Sequence, residues 1–135
     1  MRSIIFVLVS MAALGCHEIR ERADGAQISG SETVDYGEML TRNRIDLMKL
    51  SLGMDRAQVL STMGSFQAET HDGIVPNPSK SEMKTKGEDS YETFFYMTSN
   101  PPPFIGLRDS EATPVILKNG KLAGWGWGMA NEISK

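Results

Sequence analysis

The chain has 135 residues, 40% of them hydrophobic and 23% charged, with a formal net charge of −3. That is the length of one small domain, and the charge is too mild to mark a nucleic-acid or polyanion partner. A single cysteine excludes an intrachain disulfide, and with only two histidines beside it no Cys/His zinc set is available.

The first fifteen residues differ from the rest. Arg2 precedes an apolar run, Ile4 to Leu14 (IIFVLVSMAAL). A bilayer span needs about 20 apolar residues, so this run is too short to cross. It has the form of a secretory h-region. The segment AALGC then places Cys16 directly after a small residue at the end of that run. This resembles the lipobox of bacterial lipoproteins. The resemblance implies a signal peptide over 1–15 and lipid attachment at Cys16. Two or three acyl chains, at about 0.8 kcal/mol per buried methylene, hold a protein stably on a membrane. His17, where an Asp would favour inner-membrane retention, implies the outer membrane, facing the periplasm. Residues 16–34 are mostly polar and read as a flexible tether.

The folded domain is expected over 35–131. Asp35 with Glu38 suggests a capping box opening a helix within Asp35–Leu50. Leu40, Leu47 and Met48 form its apolar stripe, widened by Ile45 and Leu52. Gly53 is a candidate C′ residue for that helix. The stretch LGMDRAQVLSTMG encodes a second, two-turn helix with both ends specified. Asp55 is the N-cap and Gln58 completes a capping box. Met54 and Val59 stand at the hydrophobic-staple positions, Ala57, Leu60 and Met63 extend the apolar face, and Gly64 supplies the stop. So short a helix is unstable alone and must dock on something.

Phe66–His71 alternates weakly, as a short strand does. Asp72–Ser90, with its prolines, glycines and lysines, reads as a long polar loop. Tyr91–Thr98 (YETFFYMT) is the strongest strand, with Tyr91, Thr93 and Phe95 on one face and Phe94 and Tyr96 on the other. Pro101-Pro102-Pro103 makes a stiff extended loop leading to Phe104. Asn119-Gly120 between PVILK and KLAGW predicts a type I′ hairpin. It pairs Lys118 with Lys121, Leu117 with Leu122, and Ile116 with Ala123. Trp125 and Trp127, alternating with glycines, continue that strand as candidate partner-binding anchors, together with Phe104.

Three blocks, NRIDLMKLSLGMDRAQVLSTMG, YETFFYMT and TPVILKNGKLAGWGWG, resemble the SmpA/OmlA (BamE-like) family of small bacterial lipoproteins, and within it a group of uncharacterised envelope relatives. The matching positions are Gly53-Met54, Val59, Met63-Gly64, Phe95-Tyr96, Asn119-Gly120 and Gly124-Trp125. Ser65-Phe66 departs from the family, which has a proline soon after the second helix. The resemblance implies an α+β fold, two helices packed on a three- to four-stranded antiparallel sheet. It implies a lipid-anchored envelope scaffold or protein-binding role, accessory to outer-membrane protein assembly, with the β-barrel assembly machine as partner. An inhibitor-like or ligand-binding periplasmic module is the alternative. The nucleophile and base search reaches only His71 beside Asp72, so no catalytic, cofactor or metal residue is expected.

Overall fold

The computed structural model describes residues 30–101 and 106–135. Its elements run β1 (Thr33–Asp35), α1 (Tyr36–Leu47), α2 (Arg56–Met63), β2 (Phe66–Thr70), β3 (Gly73–Asn77), β4 (Lys80–Lys86), β5 (Asp89–Met97), a 3-10 turn at Asp109–Glu111, β6 (Ala112–Lys118), β7 (Lys121–Trp125) and α3 (Trp127–Ser134). The class is α+β. A three-stranded sheet has the order β1-β2-β3, with β1 and β2 parallel, and a four-stranded antiparallel sheet has the order β4-β5-β6-β7. Two sheets and a third helix thus stand where the sequence suggests one sheet and two helices. Cys16, Phe104 and the proposed signal peptide lie outside the described residues.

The helix signals act locally. Asp35 caps α1 by accepting from the Glu38 amide at 3.0 Å. The Glu38 carboxylate turns to Arg42 instead of closing the box. Both halves of the Asp55–Gln58 box form, at 2.9 and 3.0 Å. Gly64 ends α2 at φ 76°. Gly53 does not end α1, which stops at Leu47. It turns the connecting segment at φ 85°, and its N–H donates to the Leu122 carbonyl at 2.9 Å. The Leu122 N–H in turn donates to the Met54 carbonyl at 2.7 Å, so the corner between α1 and α2 is sewn to the edge of β7.

The buried line of α1 keeps Leu40 and the half-buried Leu47 of the expected stripe but departs from the rest. Met39, Leu40 and Asn43 are buried, whereas Ile45, Met48 and Leu52 are exposed. A polar residue at the centre of the docking face hides its phase from a hydrophobicity reading. The Asn43 amide donates to Asn77 Oδ1 at 2.9 Å and to the Met97 carbonyl at 2.8 Å. The Asn77 amide donates onward to the carbonyls of Met63 and Gly64, at 3.4 and 3.3 Å. One buried amide pair therefore joins α1, the end of α2, the end of β3 and the end of β5.

Two apolar clusters flank this pair. Val34, Met39, Leu40, Phe66, Ala68, Phe95, Met97 and Ala112 form one. Leu50, Val59, Met63, Phe94, Tyr96, Val115, Leu117 and Leu122 form the other, joined by the half-buried Leu47, Met54 and Leu60. Ala57, expected on the same face of α2, is exposed.

The expected polar loop at 72–90 is two strands. β4 (KSEMKTK) lacks apolar alternation because it is an edge strand, held by its seven-residue register with β5. The final hairpin keeps Lys118↔Lys121 and Leu117↔Leu122, but Ile116 pairs with Gly124, not Ala123, across a bulge. The absence of a side chain at 124 admits the Met129 sulfur, which would lie 2.5 Å from a Cβ there. Trp127 is not on β7: Gly126, at φ 98°, breaks the strand and Trp127 opens α3.

The Asn119 side chain ties two turns together. Its Oδ1 accepts from the Ser90 amide and its Nδ2 donates to Asp89 Oδ1, both at 2.9 Å. Asn119 and then Lys118 hold the Asp89 carboxyl below its usual range.

Removing the Asn43 amide leaves the Asn77 Oδ1 and the Met97 carbonyl without a donor in the interior. Asn43→Ala should cost about 3 kcal/mol, measured by urea unfolding, and a loss under about 1 kcal/mol would show that the pair is not structural. Because folding lowers the Asp89 pKa, its contribution is complete above the unfolded value near 4 and fades as pH falls through the folded value. The stability gap between the parent chain and Asp89→Asn should therefore shrink on acidification, read as Tm against pH, and a gap that widens instead contradicts the assignment.

Candidate functional site

β5 is the strand on which both faces are used. Phe94 and Tyr96 point into the cluster shared with α2. Burial pushes the Tyr96 phenol up, and its hydroxyl has no protein partner among the described residues. Tyr91, Thr93 and Phe95 point to the opposite face, where they meet Ile116 of β6 and the inner side of α3. Between them is an open groove of about 400 Å³, walled by Trp127, Ala130, Ile133 and Ser134 of α3 and by Glu82 and Lys84 of β4.

The groove has an apolar floor and a rim of paired charges. The Trp127 ring lies 5.9 Å from the Phe95 ring, and its indole N–H donates to the Ala112 carbonyl at 2.8 Å. Lys80 Nζ sits 4.4 Å from the centre of the Phe95 ring. Its hydrogen bonds to Asp109 at 2.6 Å and Glu82 at 2.8 Å hold that ammonium protonated, raising its pKa. Lys84 donates to the Ile133 carbonyl at 3.3 Å, reaching across the groove to the last turn of α3. A cation over a ring face and a cation at a helix C-terminus are both favourable placements.

α3 is a light cover. Its N-cap is Gly126, which offers no capping side chain, and none of its residues is fully buried. Met129, Ala130 and Ile133 are half-buried, leaving the groove open. Trp127 is 38% exposed and Trp125 39% exposed. The two are not equivalent. Trp127 forms part of the groove wall, whereas Trp125 pairs with Val115 on the strand edge. His71 and Asp72 form a 3.2 Å pair on the β2–β3 turn, outside the groove, with His71 91% exposed. Among the described residues no group of three or more His, Cys, Asp or Glu gathers as a metal site, and no helix is long and apolar enough to cross a membrane.

Thr93, Ile116, Ala130 and Ile133 were not legible as site residues. Trp127, Ala130 and Ile133 recur every third residue, which is a helical signal. The alternating glycines obscured it.

These features define an α+β domain with a half-covered sheet face. Residues 23–132 match the family described as "Protein of unknown function (DUF3192)", and the chain belongs to it. None of the curated proteins matches, and no solved structure does.

Trp127→Ala should cost about 2 kcal/mol in chemical denaturation, below the 3–5 typical of a fully buried tryptophan. A loss above about 4 kcal/mol would make Trp127 a core residue and remove it as a contact for a partner.

Proposed function

We propose that this chain is a non-enzymatic, protein-binding lipoprotein of the bacterial cell envelope, anchored through Cys16 in the outer membrane and facing the periplasm. The observation that carries the binding role is the groove on the outer sheet face. Its floor of Tyr91, Thr93, Phe95 and Ile116 and its half-exposed Trp127 wall suit an apolar segment of a partner. Lys84, on the groove wall, suits an acidic group flanking that segment. The lipobox at Cys16 supports the anchor.

The finer fold reading belongs here too. We read α1 and α2 packed with the sheet as a BamE-like plan carrying an added third helix and an added small sheet. On that reading the chain is an envelope relative of the SmpA/OmlA proteins, and the β-barrel assembly machine is the first partner to test. A ligand-binding module is the second reading. It is favoured by the groove volume of about 400 Å³, which falls within the range of small-molecule sites.

Affinity purification of the full-length chain from detergent-solubilised envelopes separates these readings. The parent chain should fractionate with membranes and recover assembly-machine proteins, and Cys16→Ser should lose the membrane fraction. Thr93→Arg, which fills the groove floor, should lose the partner while staying membrane-bound. Partner recovery undiminished by Thr93→Arg would sink the groove as the binding site. A parent chain found outside the membrane fraction would sink the anchor.

A further inference from the structure

β4 has one partner. It pairs with β5 along Lys80–Lys86, and among the described residues no strand pairs with its other side. The opposite edge of the same sheet is covered, since β7 bonds to Gly53 and Met54 and bridges Asp55. β3, on the smaller sheet, carries Pro76, which has no N–H to offer. β4 is therefore the long uncovered edge, with six of its seven residues exposed. At its centre is Met83, 68% exposed.

The hairpin turn fixes which backbone groups face outward. Gly87-Glu88 is a two-residue loop with a positive φ of 64° at Gly87 alone, the form of a type II′ turn. In such a hairpin the closing pair, Lys86 and Asp89, exchanges both hydrogen bonds, and the pattern alternates from there. The N–H and C=O groups of Ser81, Met83 and Thr85 then point away from β5.

Lysines on an edge usually discourage pairing. Here the charges are arranged so that the strand complements itself. The sequence KSEMKTK reversed about Met83 sets Ser81 against Thr85 and Glu82 against Lys84, on both sides of the centre. Two hydroxyl pairs and two opposite-charge pairs meet, and Met83 meets Met83. Lys80 faces Lys86, but Asp109 already holds Lys80 at 2.6 Å. Glu82, now 2.8 Å from Lys80, can turn to the facing Lys84 without leaving Lys80 unpaired. We propose that two copies of this chain join through β4, antiparallel about a two-fold axis at Met83, doubling the four-stranded sheet.

The test uses the full chain in density-matched detergent. Sedimentation equilibrium should show a concentration-dependent doubling of protein mass. Lys84→Glu should weaken the dimer roughly tenfold or more, since it sets like charges opposite each other twice. Glu82→Lys with Lys84→Glu should restore it. In a Cys16→Ser background, copper-phenanthroline should cross-link Met83→Cys as a dimer. It should spare Thr85→Cys, whose two copies would lie about 13 Å apart along the strands. A single-chain mass up to about 100 μM, where a contact of this kind must register, would overturn the proposal. So would a double charge reversal as weak as the single one, or equal cross-linking at positions 83 and 85.

Discussion

The Asn43–Asn77 amide pair is the constraint on which the rest of the arrangement depends. Carbonyls left at the end of a helix or strand need donors once they are removed from water. Three meet at one place: Met63 and Gly64 at the end of α2, and Met97 at the end of β5. Two neighbouring amides answer all three, and Asn43 also donates to Asn77, while the Asn43 Oδ1 has no partner among the described residues. An apolar residue at 43 would leave the Met97 carbonyl and the Asn77 Oδ1 without their donor. The pair therefore sets where α1 lies relative to β5, and it does so at the junction of the two apolar clusters. Directional bonds specify a single arrangement where apolar contact alone would tolerate several.

From that junction the two faces of β5 diverge in character. The face toward α2 is closed, with Tyr96 buried deeply enough for its phenol to resist ionisation. Arg56 of α2 reaches Glu92 at 2.9 Å and lies over the Phe94 ring, closing the rim on that side with charge. The other face carries Tyr91, Thr93 and Phe95 under a helix that buries none of its own residues fully. On that face Phe95 and Ile116 are buried, while Tyr91 and Thr93 are left half-buried. The edge of β4 adds a third kind of surface, one of backbone donors and acceptors.

Both ends of the four-stranded sheet are managed by turns. The Asn119 side chain serves its own type I′ turn and also bonds Ser90 and Asp89 beside the neighbouring turn, so the two hairpin ends hold each other. The corner at Gly53–Asp55 seals the β7 edge with backbone bonds. A short helix-linking segment therefore does the work of an extra strand. This is why the two-turn α2 persists: it is anchored at its start by β7 and at its end by Asn77.

The sequence by itself determined what is local. The Asp55–Gln58 box, the Gly64 stop, the Asn119-Gly120 turn and the β5 strand follow from chemistry within a few residues, where capping and turn geometry are nearly independent of context. It determined the faces of β5 as well, since side chains alternate with period two. The tertiary structure decided the rest. The phase of α1 turned on Asn43, whose amide suits an interior only because Asn77 and Met97 come to it from far along the chain. β4 is a strand because β5 offers it a register, not because its own residues favour one. α3 forms because Gly126 turns the chain and Gly124 gives Met129 room, placing Trp127 over Phe95 and making a groove of residues that the sequence holds apart.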